Sequence, residues 1–396
     1  MRFESAIWAK RGVPDNIAAC WAGCALPSLR MLKRRVTARK DAPNPNYAWV
    51  RHTLLAALAL FLLSGCGARL HKQQSYVFGT LVEITVYGES EDTAQRVTDA
   101  VLREFDRMHQ TLHAWQPGPL NTLNETIARA TPEHPARATL SPQLAAMLVD
   151  AAKISEQSEG LFNPAIGNLV RLWGFHADTF APHMPDTRAI ARLVRANPRM
   201  SDLKIDGVRL ECANPAVRLD LGGYAKGYAL DVAAALMKRE GVNNAHINIG
   251  GNIMALGKKG GTPWKVGIQH PRRAGALATL ELHDGEAIGT SGDYQRFFEV
   301  NGKRYCHLID PRTGWPAGRS QAVTLIAHGP RAGTFSDAPS KPLFIAGPED
   351  WPRLAKKMGI GEVLYIAADG GVSVTRAMQA RLVWEKPEPA VRVVDE

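Results

Sequence analysis

The sequence predicts an α+β protein with mixed sheets and packed helices in a single large domain. Stretches of strand length and of helical period both occur, but without the regular alternation of a doubly wound chain. The chain has 396 residues, 45% hydrophobic and 22% charged, enough to bury a large core. One block, from Leu219 to Gly257, combines a short apolar run, a glycine-rich turn, an amphipathic helix and a second strand, and the rest is organised around it.

Taken in order, the chain opens with a targeting segment. The first 52 residues hold ten Lys/Arg and three Asp/Glu, so +7 of the +10 net charge sits there. The body carries no basic stripe interleaved with aromatics, which argues against nucleic-acid binding. Arg51-His52 precede the apolar run from Thr53 to Leu63, which is too short to span a bilayer. Leu63-Ser64-Gly65-Cys66 follows and resembles a bacterial lipobox, in which cleavage falls before the Cys and its thiol is lipidated. Cleavage there removes 65 residues, long for a signal peptide, so a later start at Met31 or Val50 is expected. The expected organisation is leader and signal peptide over 1–65, lipid anchor and tether over 66–75, one domain over 76–385 and a tail over 386–396. Of the five cysteines, only Cys212 and Cys306 lie in the body, where an exported protein either pairs them or leaves them as thiols.

Tyr76 to Gly88 reads as one alternating strand. Glu91 to His113 is helical, with Ala94, Val97, Ala100, Val101, Phe105 and Met108 on its apolar face. Trp115 stands in a loop. Ser141 caps a helix running to about Glu156, with Gly160 beyond its end. His176 to Thr187 reads as a surface loop and Arg188 to Arg195 as a short helix. Strands are expected around Leu203 and Val208, over Trp264 to Ile268, Ala278 to Leu282, Glu286 to Gly289, Arg304 to Ile309 and Ala322 to Ala327, and near Val363 and Arg381. Trp351 to Lys357 reads as a helix, and the acidic, proline-bearing tail after Glu385 as disordered.

In the central block, Gly222-Gly223-Tyr224-Ala225-Lys226-Gly227 precedes a helix over about Tyr228 to Arg239, whose Ala229, Val232, Ala233 and Leu236 form one stripe. Glycines admit close backbone approach, a helix N-terminus is partly positive, and Lys226 adds a full charge, a combination that suits a phosphate. The same residues also serve as a tight turn and nothing more, so both readings stand on local sequence.

The stretches from Asp220 to Asp231 and from Ile247 to Ile253 resemble the signature of the FAD:protein FMN transferase (ApbE-like) family. Thr290-Ser291-Gly292-Asp293-Tyr294 and His307-Leu308-Ile309-Asp310-Pro311-Arg312-Thr313-Gly314 follow in that family's order, and the resemblance runs from about Tyr76 to about Val383. It implies an ApbE-like fold and transfer of FMN from FAD onto a Thr or Ser hydroxyl of a target flavoprotein, with release of AMP and help from Mg²⁺. It implies FAD contacts from Phe78, Trp115, Leu161, Phe162, Asn163, Gly222, Tyr228, Ile309 and Ser340. The metal would be held by Ala225 through its carbonyl and by Asp337, with Lys341 at the third ligand position. His307 and Asp310 are the implied catalytic pair; His307 is otherwise a structural histidine, and Asp310 otherwise part of a turn. With the lipobox, the resemblance implies an enzyme anchored through Cys66 on the periplasmic face of a bacterial inner membrane.

Three departures from the family pattern stand out. Phe78 replaces a common Met, Asn163-Pro164-Ala165 replaces an Asp-x-Thr, and the Asp-Ala-x-x-Thr metal motif reads Asp337-Ala338-Pro339-Ser340-Lys341. A Lys ammonium has no acceptor and cannot ligate a cation. Either Lys341 points away, or its ammonium takes the metal's place beside Asp337. The latter is the expectation, and a pyrophosphatase or a non-catalytic FAD-binding lipoprotein is the alternative to a transferase.

Overall fold

The computed structural model describes residues 69–394 apart from 178 and 180, so the leader, the lipobox and Cys66 lie outside the described residues. In chain order the strands and helices are β1 (Leu70–Val77), β2 (Thr80–Tyr87), α1 (Glu91–Leu112), α2 (Pro119–Ile127), β3 (Ala136–Thr139), α3 (Pro142–Gln157), α4 (Gly167–Leu172) and α5 (Thr187–Ala196). There follow β4 (Lys204–Asp206), β5 (Arg209–Cys212), α6 (Ala225–Arg239), β6 (Ala245–Ile249), β7 (Asn252–Leu256), β8 (Trp264–Gln269), β9 (Ala276–Leu282) and β10 (Ala287–Gly292). The last are β11 (Phe297–Val300), β12 (Lys303–Cys306), β13 (Ser320–Ala327), α7 (Ala332–Asp337), α8 (Ser340–Ala346), α9 (Trp351–Lys357), β14 (Glu362–Ala367), β15 (Val372–Thr375), α10 (Arg376–Arg381), β16 (Val383–Trp384) and β17 (Val391–Val394).

A nine-stranded sheet in the order β1-β2-β6-β7-β10-β13-β14-β15-β17 forms the frame. Neighbours are antiparallel except β15 and β17, which run parallel. Its central strands are covered on both sides, so β13 is buried along nearly its whole length instead of alternating. On β13 and β14, Val323, Leu325, Val363 and Tyr365 pack with α8 and α9, while Ala322, Ile326, Leu364 and Ile366 pack with β8 and β9. The helix side continues under α1 and α6, where Val101, Phe105, Ala229 and Ala233 meet Ile84 and Ile247. The result is helices, sheet and a smaller sheet of β16, β9 and β8 in layers, an α+β architecture as expected.

The caps explain where the helices start. Ser90 Oγ accepts the Thr93 amide at 3.2 Å before α1, and Glu91 and Asp92 occupy its first turn. Ser141 does the same for α3, accepting the Leu144 amide at 3.2 Å. At α7 the cap comes from α6: Asp231 accepts the Gly333 amide at 2.7 Å and the Thr334 amide at 2.9 Å. That bond draws the two helices together until backbones nearly touch. A Cβ on Gly227 would lie 2.3 Å from the Gly333 carbonyl oxygen and 2.6 Å from Asp337 Cβ, so only glycine fits.

Several expectations are corrected. Residues 71–75 are not a tether but most of β1, paired in full register with β2. The single strand expected from Tyr76 to Gly88 is a hairpin that turns at Phe78-Gly79, both with positive φ (55° and 68°), the twist a two-residue hairpin turn requires. The helix after the glycine turn starts at Ala225, one turn early. Arg381 ends a helix, α10, which Thr375 caps; the strand there is only β16. Residues 391–394 of the tail form β17, held to β15 by four register pairs. Pro342 falls in the first turn of α8, where its missing N–H is not needed. Cys212 and Cys306 are both buried free thiols, and burial pushes Cys306 up to about 12.

Candidate active site

A pocket of about 670 Å³ opens among the Phe78-Gly79 turn, the end of α1, the Trp115 loop, Leu161 to Pro164, the glycine turn, the start of α6 and His307 to Ile309. Its size is that of a site for a ligand of cofactor dimensions. Part of its lining is aromatic and apolar, with Phe78, Trp115, Phe162, Phe175 and Ile166. Arg218 lies over the Trp115 ring, 4.7 Å from its centroid, and His176 meets that ring edge-on at 5.4 Å. Phe78 is packed by Phe105 and His109, each 5.8 Å away, which holds its positive-φ backbone in place.

The same lining carries Gly222 and Gly223 with three cations, Lys226, Arg296 and Lys341. One Arg296 guanidinium nitrogen donates to the Phe175 and Ala177 carbonyls at 2.9 and 3.0 Å. Asp220 accepts the Gly222 amide at 2.9 Å and shapes the turn; burial pushes its carboxyl above the usual range, with that amide pulling it back. A Cβ on Gly222 would meet only Asp220 Oδ1, at 3.1 Å, so the glycine is bare toward the pocket. A Cβ on Gly223 would lie 3.6 Å from Lys341 Cε and 3.7 Å from Phe162 Cε2, which places the lysine stem across the turn.

Lys341 is held from below. Its Nζ donates to the Asp337 carbonyl oxygen at 2.8 Å and pairs with Asp337 Oδ1. The other carboxylate oxygen, Oδ2, accepts the Gly227 amide at 2.9 Å. Asp337 is fully buried, and the Lys341 side chain is 12% exposed. Burial lowers the lysine's pKa and Asp337 raises it again. This is the second of the two arrangements weighed from the sequence. The donor set does not fit a divalent cation: both Asp337 oxygens are engaged, an ammonium occupies the third ligand position, and no cluster of three His, Cys, Asp or Glu that could hold a metal occurs among the described residues.

His307 follows directly on β12. Its amide bonds the Arg296 carbonyl at 3.1 Å, and its Nδ1 donates to the same oxygen at 3.2 Å. A carbonyl only accepts, so the proton is assigned to Nδ1 and Nε2 is left as the acceptor. Burial, followed by the charges of Arg296 and Lys226, holds this histidine down at about 3. The ring is therefore neutral at neutral pH.

The structure brings Phe78, Trp115, Leu161, Phe162, Asn163, Gly222, Ala225, His307, Ile309 and Lys341 to one pocket wall. It does not bring Tyr228, Asp310, Ser340 or Asp337 there. Tyr228 stacks on Tyr224 at 5.9 Å, two residues further along α6 than the pocket reaches. Asp310 folds back on its own turn, accepting the Arg312 amide at 2.9 Å and pairing with the Arg312 guanidinium at 2.8 Å. Ser340 is buried between Ser291 Oγ and the Asp337 carbonyl, each at 2.7 Å. Asn163 lines the wall, but its amide is used to hold the loop, donating to the Pro198 carbonyl at 2.9 Å. Thr290 to Gly292, from the motif that carries the resemblance, end strand β10 and are absent from the pocket lining. Sequence reasoning missed Arg296, His109, His113 and His176, which no local motif marks and which reach the pocket only through long-range packing.

Comparison with known proteins shows the family. The ApbE family model matches residues 78–364. An FAD:protein FMN transferase of Rhodobacter capsulatus is 41% identical over 307 residues, 78% of this chain and 57% of the relative, so the chain spans little more than half of that protein. One from Treponema pallidum is 31% identical over 82% of this chain and 95% of its own length. Among solved structures, the ApbE protein of Thermotoga maritima superposes with a TM-score of 0.71 at 27% identity, covering 79% of this chain and 99% of its own. The apo flavinyl transferase ApbE of Pseudomonas stutzeri gives 0.68 at 27% identity, over 79% and 97%.

Proposed function

The chain belongs to the ApbE family, and we propose that it works as its FAD:protein FMN transferase relatives do, with FAD in the pocket described above. It is an FAD:protein FMN transferase: FMN passes from FAD to an acceptor flavoprotein. The observation that carries this reading is the meeting of a bare glycine turn, three cations and a neutral imidazole in one pocket with several aromatic side chains. In this reading the pyrophosphate lies on Gly222, Gly223 and the start of α6, near Lys226, Lys341 and Arg296. The isoalloxazine lies on the face of Trp115 that Arg218 leaves open.

His307 Nε2 takes the proton of an acceptor Thr or Ser hydroxyl. The freed oxygen attacks the phosphorus on the FMN side of the pyrophosphate. The bond from that phosphorus to the bridging oxygen breaks, and AMP leaves carrying it. A base at about 3 is too weak on its own, but its low value comes partly from Arg296 and Lys226. A bound pyrophosphate offsets those charges and raises the basicity of His307 when the substrate is in place.

Purified protein with FAD and an acceptor domain carrying a reactive Thr tests the reading. Covalent flavin on the acceptor, with one AMP per FMN transferred, is expected. AMP and free FMN without an acceptor would instead identify a pyrophosphatase.

Leu63-Ser64-Gly65-Cys66 supports lipidation at Cys66 and residence on the periplasmic face of a bacterial inner membrane. Palmitate labelling that disappears in Cys66→Ser, together with release into the soluble fraction, is the expected result; an unlabelled wild-type chain would remove the anchor from the account.

A further inference from the structure

We propose that the Lys341 ammonium is this chain's own counter-charge for the FAD pyrophosphate, standing where a divalent cation would otherwise bind, so that FAD binding and FMN transfer need no divalent metal. The proposal rests on the FAD reading of the pocket.

An ammonium has three donors. Two go to Asp337, one to its carbonyl oxygen at 2.8 Å and one to Oδ1. The third has no protein acceptor among the described residues, and the lysine lines the pocket. Its stem crosses the glycine turn, with Cε 3.6 Å from where a Gly223 Cβ would stand. A phosphate on that turn therefore meets the ammonium directly.

The charge balance points the same way. Lys226, Lys341 and Arg296 line the pocket, against Asp220 on its wall and Asp337 behind it, so the pocket carries an excess of positive charge. An added divalent cation would increase that excess, whereas a pyrophosphate neutralises it. Asp337 does not need a metal to be satisfied: the Gly227 amide at 2.9 Å and Lys341 complete its carboxylate. Because Asp337 and the start of α8 fix the ammonium before substrate arrives, little reorganisation accompanies binding or the shift of charge to the leaving phosphate.

The test is FAD affinity of the full-length protein, by titration calorimetry, in EDTA and in excess MgCl₂. Wild type should bind FAD in EDTA, with a Kd within about twofold of its value in Mg²⁺. Lys341→Thr should lose on the order of tenfold or more in EDTA and recover in Mg²⁺, since a Thr oxygen beside Asp337 restores a donor set for the metal. The double variant Asp337→Asn/Lys341→Met removes both charges together and preserves the fold where the single change loses it. It should show the loss in EDTA and no recovery in Mg²⁺. Tightening of wild-type binding by about tenfold or more on adding Mg²⁺ would overturn the proposal. So would unchanged affinity of folded Lys341→Thr or of the double variant in EDTA. Failure of every form to bind FAD under either condition would bring down the FAD reading and this proposal with it. Transfer to an acceptor that appears only when Mg²⁺ is added would overturn the proposal for the transfer step; binding without transfer in both EDTA and Mg²⁺ would bring down only the transferase reading, with the Kd comparison still deciding the role of Lys341.

Discussion

His307 and Gly222 occupy opposite sides of the same chemical step, and each can be tested by itself. His307 touches the pocket through a ring whose Nδ1 is tied to the Arg296 carbonyl, leaving one acceptor nitrogen. His307→Ala should lower the transfer rate on the order of 10²–10⁴-fold while FAD affinity changes little. A near-normal single-turnover rate would leave the histidine only a structural role. Gly222 has φ in the ordinary range and room for a Cβ except toward Asp220. Gly222→Val should therefore fold normally and fill the phosphate end of the pocket. Calorimetry is expected to show FAD binding weakened by about tenfold or more, with an unchanged circular dichroism spectrum. Both residues were legible in the sequence because they sit in contiguous motifs. Asp310 sits in the same kind of motif and was misread, because an Asx turn and a catalytic carboxylate share one local pattern.

At the scale of elements, the β1–β2 turn shows local stability set against the site. Phe78 takes φ 55°, a conformation costly for a bulky side chain, and places its ring on the pocket wall. Phe78→Gly should relieve about 1 kcal/mol of that strain but lose the ring's packing on Phe105 and His109, so stability should fall on balance, and FAD binding should weaken several-fold. Phe78→Ala, which loses the ring and keeps the strain, should be less stable than Phe78→Gly in urea unfolding; equal midpoints would mean that the turn stores no strain. The alternating pattern that marked both strands also concealed this turn, since two strands in continuous register read as one. The helices were more legible. Ser90 and Ser141 announce α1 and α3, and the apolar stripe marks α6. Helix α7 carries no such local signal, because its cap, Asp231, is about a hundred residues away in sequence.

For the whole molecule, a neutral histidine buried among cations makes stability depend on pH. An unfolded chain protonates His307 near its ordinary value of about 6.5, whereas the folded chain holds it neutral down to about 3. Between those values the unfolded state binds more protons, so this contribution to stability is fully present above about pH 6.5 and is lost as pH falls toward 3. Urea unfolding of the FAD-free protein should show that decline, and His307→Asn should flatten it; an equally steep curve in the variant would assign the acid sensitivity elsewhere. The sequence by itself determined the α+β class, the main helices, the glycine turn and the family resemblance, because periodicity, caps and contiguous motifs are written in neighbouring residues. It also anticipated that a lysine cannot ligate a metal beside Asp337. The tertiary structure alone decided which side chains share the pocket. Pairing within the nine-stranded sheet and packing of the segments around it bring Phe78, Gly222, Arg296, His307 and Lys341 together across more than half of the chain, while Tyr228, Asp310 and Ser340 are turned away. A side chain's charge state and access depend on neighbours in space, and those neighbours are distant in sequence.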